Sequence, residues 1–222
     1  MDDDNWQISE NSTKELILKY TVPGKILDVG VGLGRLLDLL PDSYEKYGMD
    51  ISLNYLKHTK QKNIKVCMSL IEDMPYNDKY FDTIICTDVL EHVLDLNDAL
   101  KNIFRVLKTN GILIIRVPYK ENLIIYLDRK MPYKYVHLRN FDEYSLIILF
   151  EKIFNKEVLE FNFTSPYITR IVLKSYFPNI FKIVFFLAIY FLRKIKKSLF
   201  NKLANIFFPK TEINVVVKNI NY

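Results

Sequence analysis

The chain has 222 residues, of which 50% are hydrophobic and 14% aromatic. This is enough for one α/β domain with its own core, and it excludes a disordered or fibrous protein. Only two cysteines occur, Cys67 and Cys86, so neither a disulfide framework nor a multi-cysteine metal site can be built from them. The acidic first ten residues lack the apolar stretch of a secretory signal, and we expect a cytoplasmic protein.

The net charge of +5 is unevenly distributed along the chain. Residues 170–222 carry ten Lys or Arg and one acidic residue, Glu212, whereas residues 1–169 are mildly acidic. Such a basic C-terminal quarter favours contact with a membrane surface or another anionic partner. A lysine-rich composition throughout is the alternative, but it does not explain why acidic residues disappear between Glu160 and Glu212.

Strand-like and helical patterns alternate along the chain. Strands are predicted at Lys25–Val29, Tyr44–Ile51, Ile64–Ser69, Phe81–Thr87, Gly111–Val117, Glu157–Phe163 and Glu212–Lys218. Helices are predicted at Thr13–Tyr20, Leu33–Leu40, Leu53–Gln61, Leu96–Leu107 and Tyr144–Ile153. We expect Asn97 or Asp98 to cap the fourth of these helices, Asn110-Gly111 to stop it, and Asp142 to cap the fifth. The alternation predicts an α/β fold with a doubly wound, mainly parallel sheet that is covered on both faces.

The alternation is interrupted once, between Ser165 and Lys210. Ile183–Leu192 is a run of ten apolar residues, which is too short to cross a bilayer, since a span needs roughly 20. The residues after it have the spacing of a basic amphipathic helix, with Lys194 and Lys197 opposite the apolar side. We therefore predict a single domain, 1–222, with a helical insertion at 165–210. Residues 180–209 are expected to contact the inner face of a membrane; a lid or a homodimer interface is the alternative.

Three of the six glycines lie together, at Gly30, Gly32 and Gly34, between a predicted strand and a predicted helix. Glycines in this position let the backbone turn sharply and approach a ligand closely. The spacing is not the dinucleotide-binding G-x-G-x-x-G pattern, because position 35 is Arg35. Asp28, two residues before the first glycine, would repel a pyrophosphate and suits a ligand that is cationic at that point, such as an ammonium or a sulfonium.

The segment Asp28–Gly34 resembles the signature loop of the class I S-adenosylmethionine (SAM)-dependent methyltransferases. Further segments resemble the other motifs of that family in the expected order: Gly48–Ser52, Glu72–Tyr76, Phe81–Thr83, Asp88–Val93 and Arg105–Gly111. The resemblance covers about residues 13–163 and a final strand at Glu212–Lys218. It implies a Rossmann-like methyltransferase fold with seven strands, the last of them antiparallel, and SAM as the cofactor.

The resemblance also implies roles for single residues. The residues expected to bind the cofactor are Asp28, Gly30, Gly32, Gly34, Asp50, Ile51, Asp73, Met74 and Asp88. Asp50 would bind the ribose, and Asp73 and Met74 would lie at the adenine.

On the acceptor side, His92 and His137 are the catalytic candidates, and Tyr119 and Arg139 are candidates for substrate binding. For His92 the alternative is a capping or supporting role, and for the segment around His137 it is a loop that enters a helix. No short spacing links the three histidines of the chain, so we expect no metal site.

The predicted function is methyl transfer from SAM to a small-molecule or lipid-linked acceptor, such as a sugar, a quinone or a lipid head group. An RNA methyltransferase is an alternative, but the acidic core and the absence of an Asn/Asp-Pro-Pro-Tyr/Phe motif at Asp88–Glu91 make a nucleic-acid partner less favoured. A second alternative is a non-catalytic SAM-binding module at a membrane, since the SAM-binding residues would be the same.

Overall fold

A computed structural model describes residues 3–127, 136–164 and 210–220 of the chain. Within these residues the helices are α1 (Asp3–Tyr20), α2 (Arg35–Asp38), α3 (Leu53–Thr59), α4 (Leu96–Val106) and α5 (Glu143–Ile147). The strands are β1 (Lys25–Val29), β2 (Glu45–Asp50), β3 (Lys65–Met68), β4 (Phe81–Thr87), β5 (Leu107–Pro118), β6 (Glu157–Thr164) and β7 (Glu212–Lys218). Short 3-10 segments follow α3 and β5, and a π-helical turn, Ile148–Ile153, continues α5.

The seven strands form one sheet in the order β3-β2-β1-β4-β5-β7-β6. β1 to β5 pair in parallel, as expected when helices provide the crossovers. β7 lies between β5 and β6 and is antiparallel to both. The predicted fold class and the predicted antiparallel last strand are confirmed.

Apolar side chains cover both faces of the sheet, because successive residues of a strand point to opposite sides. In β1, Ile26 packs with the cluster that contains Leu16 and Ile17 of α1, and Leu27 packs with the cluster that contains Leu100 of α4. Helices α1, α2 and α3 thus cover one face, and α4 and α5 cover the other. Both faces of the sheet are therefore packed. In open α/β sheets of this kind, ligands bind at the carboxyl ends of the strands.

Several predicted boundaries were wrong. The N-cap of α4 is Asp95, whose carboxylate accepts the backbone N–H of Asp98 at 3.0 Å. The helix begins at Leu96, two residues earlier than a cap at Asn97 would allow and three residues earlier than a cap at Asp98 would allow. The helix ends at Val106 and β5 begins directly at Leu107, so Asn110-Gly111 lies within a strand rather than at a helix stop. Asp142 caps α5 as predicted, through a capping box with Ser145.

The long segment before β7 starts and ends at the same place in the sheet. Thr164, the last residue of β6, pairs with Glu212, the first residue of β7, and Glu212 also pairs with Pro118 at the carboxyl end of β5. The predicted helical insertion and the proposed membrane contact at 180–209 lie outside the described residues. Across the part of the chain that the structure describes, no helix has the length and apolarity that a membrane span requires.

Candidate functional site

The glycine loop connects β1 to α2 at the carboxyl edge of the sheet. Gly30, Gly32 and Gly34 all have positive φ, at 76°, 51° and 69°. A Cβ atom on Gly30 would lie 2.3 Å from Cγ2 of Val89, so the loop also approaches the segment after β4 too closely for a side chain. Glycine at position 30 is therefore required both by the positive φ of the backbone and by the lack of space for a side chain.

A cavity of about 330 Å³ opens beside this loop. Its lining comes from α1, β1, the glycine loop, α2, α3 and the end of β4: Trp6, Glu10, Asp28, Gly30, Val31, Gly32, Leu33, Arg35, Leu36, Tyr55, Thr87 and Asp88. Four residues that the sequence predicted for cofactor binding, Asp28, Gly30, Gly32 and Asp88, thus lie around one cavity.

Two buried carboxylates in this lining each have one oxygen without a hydrogen-bond partner in the part of the chain that the structure describes. Asp28 is 3% exposed and Glu10 is 7% exposed. Oδ1 of Asp28 and Oε2 of Glu10 have no hydrogen-bond partner among the described residues. Burial raises the pKa of Asp28 well above its ordinary value, and nearby Glu10 raises it further. Burial also raises the pKa of Glu10, against the attraction of Arg116. A cationic group in the cavity would satisfy both side chains.

Beneath the cavity, Arg116 of β5 is fully buried. Its guanidinium donates to Asp88 at 2.6 Å and to the hydroxyl of Thr13 at 3.1 Å, and it lies 3.9 Å from Glu10 and 4.0 Å from Glu212. Asp88 has a positive φ of 56°, a conformation that Asp tolerates better than most residues. Three carboxylates around one guanidinium leave this part of the site with excess negative charge, which favours a cationic ligand.

Asp50 ends β2 next to the glycine loop. One of its carboxylate oxygens accepts the N–H of Gly32 at 2.9 Å, and the other accepts the N–H of Ser52 at 2.8 Å. Each oxygen retains a lone pair, so the carboxylate can still accept a hydroxyl. Ile51, beside it, is 70% exposed.

The predicted adenine segment lies after β3. The side chain of Asp73 is exposed, whereas Met74 is 3% exposed and packs in the core. The backbone carbonyl of Met74 accepts from Arg105 of α4 at 2.8 Å. Neither residue borders the cavity, so their role at the adenine stays a prediction.

A second cluster of polar side chains lies at the loop after β4. His92 belongs to that loop, and His137 comes from the segment between β5 and α5. The rings of His92 and His137 are 4.6 Å apart and edge-on, although the two residues are distant in sequence. Glu91 is 1% exposed and adjoins them. Burial raises the pKa of Glu91 well above its ordinary value, and Asp88 adds to this. Burial and the nearby His137 lower the pKa of His92. The two catalytic candidates of the sequence therefore come together.

Tyr119 and Arg139 hold the surrounding loops. The Tyr119 hydroxyl donates to Glu143 at 2.8 Å. The Arg139 guanidinium donates to the backbone carbonyls of Leu90 and Leu94, each at 3.0 Å. These hydrogen bonds already use several N–H groups of Arg139 within the protein. Substrate binding by Tyr119 or Arg139 stays a prediction.

Some residues of the site were missed by sequence reasoning. Helix α1 begins at Asp3 rather than at Thr13, and it contributes Trp6 and Glu10 to the cavity. Trp6, Glu10, Thr13 and Ile17 are spaced as one helical face, which is the signal that could have found them. The burial of Arg116 had no signal in the sequence, since it depends on which strands become neighbours.

Comparisons with known proteins define the class. A family model described as "Methyltransferase domain" matches residues 27–115. The uncharacterized protein MJ0638 of Methanocaldococcus jannaschii is 40% identical over 120 residues, which are 53% of this chain and 52% of that protein. MJ1123 of the same organism is 30% identical over 144 residues, 62% of this chain and 69% of that protein. The ubiquinone/menaquinone biosynthesis C-methyltransferase UbiE of Geotalea daltonii is 32% identical over 110 residues, 44% of this chain and 47% of that protein.

Solved structures agree with the fold. A structure of the Haloferax volcanii Trm112 methyltransferase activator with a methyltransferase matches with a TM-score of 0.70 and 15% identity, over 99% of this chain and 91% of that chain. A SAM-dependent methyltransferase of Archaeoglobus fulgidus matches with a TM-score of 0.63 and 17% identity, over 96% of this chain and 93% of that chain. At these identities the likeness shows the fold alone.

The fold is thus that of the Rossmann-like methyltransferases. The chain belongs to the class I SAM-dependent methyltransferases, and this membership implies SAM as the methyl donor. The chain spans about half the length of two of the three curated relatives described above, MJ0638 and UbiE.

Proposed function

We propose that this chain transfers the methyl group of SAM to a small-molecule or lipid-linked acceptor, such as a sugar, a quinone or a lipid head group. The observation that carries the proposal is the pair of buried carboxylates, Asp28 and Glu10, in the cavity beside the glycine loop, each with one oxygen that lacks a hydrogen-bond partner among the described residues. Their orphaned oxygens fit a ligand that brings positive charge, as SAM does with its ammonium and sulfonium groups.

The side chains around the cavity have separate tasks in this proposal. Bound SAM supplies a methyl group that is already activated by its sulfonium. Asp28 accepts from the ammonium group, Gly30 and Gly32 allow the backbone to approach closely, and Asp50 accepts the ribose hydroxyls. Because the methyl group is activated, the protein gains rate mainly by holding the acceptor in line with it. In this proposal His92, in the loop after β4, and His137, in the segment that packs against that loop, act on the acceptor.

The acceptor class is supported by two observations of different kinds. The relative UbiE is named for quinone biosynthesis, and the ubiquinone biosynthesis O-methyltransferase of Rickettsia akari is 31% identical over 98 residues. The basic, aromatic segment before β7 provides a reason for an apolar or lipid-linked acceptor. The segment starts and ends at the carboxyl edge of β5, the same edge of the parallel strands that carries the glycine loop.

Label transfer tests this proposal directly. Purified protein is incubated with methyl-labelled SAM and lysate of the source cells, which is then separated into organic, aqueous and nucleic-acid fractions. Protein-dependent label in the organic or aqueous phase supports the proposal. Label found only in RNA would show that the acceptor is RNA and would contradict a small-molecule or lipid-linked acceptor. SAM binding without transfer to any fraction would favour the non-catalytic module.

The membrane contact proposed for 180–209 needs its own experiment. The full chain and a variant lacking Ile180–Pro209 are sedimented with anionic and with neutral vesicles. We expect only the full chain to sediment, and more strongly with anionic vesicles, since lysines flank the apolar run. Equal sedimentation of both proteins would contradict membrane contact, and would leave a lid or a dimer interface as the role of the segment.

A further inference from the structure

Glu91, His92 and His137 form a compact cluster of metal-ligand types. One potential ligand atom from each residue lies within 4.8 Å of those of the other two. This cluster could not be expected from residue spacing, because 44 residues separate the two histidines. The fold brings them together, since Leu138 donates its N–H to the carbonyl of Glu91 at 2.8 Å and so fixes the segment after position 136 on the loop after β4.

One oxygen of the Glu91 carboxylate is buried without a hydrogen-bond partner in the described ranges of the chain. The residue is 1% exposed, and its Oε2 atom has no hydrogen-bond partner among the described residues. A buried ionised carboxylate oxygen without a partner is costly, and either protonation or coordination of a cation offsets that cost. A structural role alone would leave this oxygen unsatisfied.

Both histidines are held through the same ring nitrogen. Nδ1 of His92 lies 3.1 Å from the carbonyl oxygen of Val136, and Nδ1 of His137 contacts a carboxylate oxygen of Glu121. Tyr126 donates to the other oxygen of Glu121 at 2.8 Å. These acceptors assign the proton of each ring to Nδ1, which leaves Nε2 with its lone pair. A metal-binding histidine typically has this arrangement, with the other ring nitrogen donating to a carboxylate or a carbonyl.

We propose that Glu91, His92 and His137 bind one divalent transition-metal ion. Two imidazoles and one carboxylate suit Zn²⁺, Mn²⁺ or Fe²⁺ better than Mg²⁺, which prefers oxygen ligands. Ligands at about 2.1 Å from one ion lie about 3.4 Å apart in a tetrahedral arrangement and at most about 4.2 Å apart, so a pair of ligand atoms 4.8 Å apart must close by about 0.6–1.4 Å when the ion binds. Three protein ligands leave coordination positions open.

The open positions give the ion a role that rests on the proposed function. Asp88, which lines the cofactor cavity, precedes Glu91 by three residues, so the ion would lie near that cavity. An ion there lowers the pKa of an acceptor hydroxyl that it binds. The acceptor oxygen then forms the new bond to the methyl carbon while the carbon–sulfur bond breaks, its electron pair remains on sulfur, and the hydroxyl proton passes to water. The site therefore specifies an oxygen acceptor, such as a phenol or a sugar hydroxyl.

Metal titration tests the site without any dependence on activity. The full chain, freed of purification tags and treated with a chelator, is titrated with Zn²⁺ by calorimetry and with Co²⁺ by absorption. We expect one ion per chain, and weaker binding of Mg²⁺. His92→Ala, His137→Ala and Glu91→Gln should each weaken binding by about tenfold or more, since loss of an outer partner of a ligand already costs about 10–100-fold. His58→Ala, which changes the exposed third histidine, should have no effect.

The outcomes separate clearly. No stoichiometric binding, or binding that the three cluster variants leave unchanged, overturns the site. Binding of S-adenosylhomocysteine checks that each variant is folded. If a variant is not folded, X-ray absorption of the intact Zn²⁺ protein decides, because two imidazoles at about 2.0–2.1 Å are required and fewer would overturn the proposal.

Label transfer with and without metal then separates this inference from the proposed function. Transfer that stops after chelation and returns with the ion supports both. Equal transfer after chelation overturns the role of the ion and leaves the methyltransferase standing. Metal binding at the cluster without transfer to any acceptor supports the site and contradicts the proposed function.

Discussion

At the scale of single residues, Asp28 is a carboxylate whose position favours ligand binding over stability. Burial raises its pKa well above the ordinary value of 3.8, and charged groups face it from four other elements: Glu10, Asp50, Asp88 and Arg116. A raised pKa in the folded state means that ionisation of Asp28 opposes folding. This penalty is fully present above the raised pKa and fades as the pH falls toward 3.8.

Asp28→Asn should therefore stabilise the SAM-free protein and weaken SAM binding. We expect a higher melting temperature at pH 8, and a gain that shrinks as the pH falls toward 3.8, because ionisation of the buried wild-type carboxyl opposes folding less and less over that range. SAM affinity should fall by roughly 10–100-fold, the worth of one hydrogen bond to a charged group. Calorimetry and thermal melts check both effects, with exposed Asp42→Asn as the control. A less stable variant with unchanged affinity would contradict the assignment of Asp28.

Gly30 and Gly32 differ in what a side chain would meet. Both have positive φ, but a Cβ atom on Gly30 would lie 2.3 Å from Val89, whereas the nearest atom to one on Gly32 is 4.0 Å away. Gly32→Ala should cost about 1–2 kcal/mol of unfolding free energy, from backbone strain alone. Gly30→Ala should cost about 1–3 kcal/mol more, through overpacking.

A second substitution tests the steric cause. Val89→Ala in the Gly30→Ala background should recover part of the loss, because it removes the clashing methyl group, while it should recover nothing in the Gly32→Ala background. Urea unfolding of the four proteins measures this. Equal costs for the two single glycine variants would show that the contact with Val89 is not what requires Gly30.

At the scale of elements, the cap of α4 shows where sequence reasoning stops. The wrong prediction of Asn97 or Asp98 came from a cluster of polar residues in which several could cap, and only the backbone conformation selects Asp95. Asp95→Ala should cost about 1 kcal/mol, since its carboxylate accepts the N–H of Asp98. Asp98→Ala retains that N–H and should cost less, through the helix dipole alone. Urea unfolding compares them, and the reverse order would contradict the cap.

The elements themselves were largely predictable, and the site was predictable only in part. Apolar periodicity follows from burial on a sheet face, so all seven strands and most helices carry a local signal. Gly30 could be found because a backbone constraint selects the residue type. Asp28 could be found because a carboxylate next to the glycine loop suits a cationic ligand. Glu10 and the pairing of His92 with His137 could not be found in this way, because they depend on which elements become neighbours in space.

At the scale of the whole molecule, Arg116 connects elements that are far apart in sequence. It contacts Thr13 and Glu10 of α1, Asp88 after β4, and Glu212 of β7. Arg116→Met should lower the free energy of unfolding by about 3–5 kcal/mol, because it leaves buried carboxylates without their counter-charge.

The loss in Arg116→Met should be smaller at pH 5.5 than at pH 8. Burial raises the pKa of Glu10 and of Glu212, and removal of the guanidinium raises both further, so these carboxyls become neutral as the pH falls. Lys108→Met is the matched control, since its ion pair with Asp82 is partly exposed and is worth about 0–1 kcal/mol. Urea unfolding at the two pH values measures both variants. A pH-independent loss in Arg116→Met would show that packing, rather than charge, explains the role of Arg116.

The pairing of Thr164 with Glu212 also determines how freely the segment between them can change. Its two ends are fixed beside each other by the ladder, so the entropy of closing the loop between them changes only slowly with the number of residues in it. Doubling such a loop costs only about 0.6 kcal/mol. As far as closure entropy is concerned, an insertion or deletion between Thr164 and Glu212 therefore costs the seven strands little.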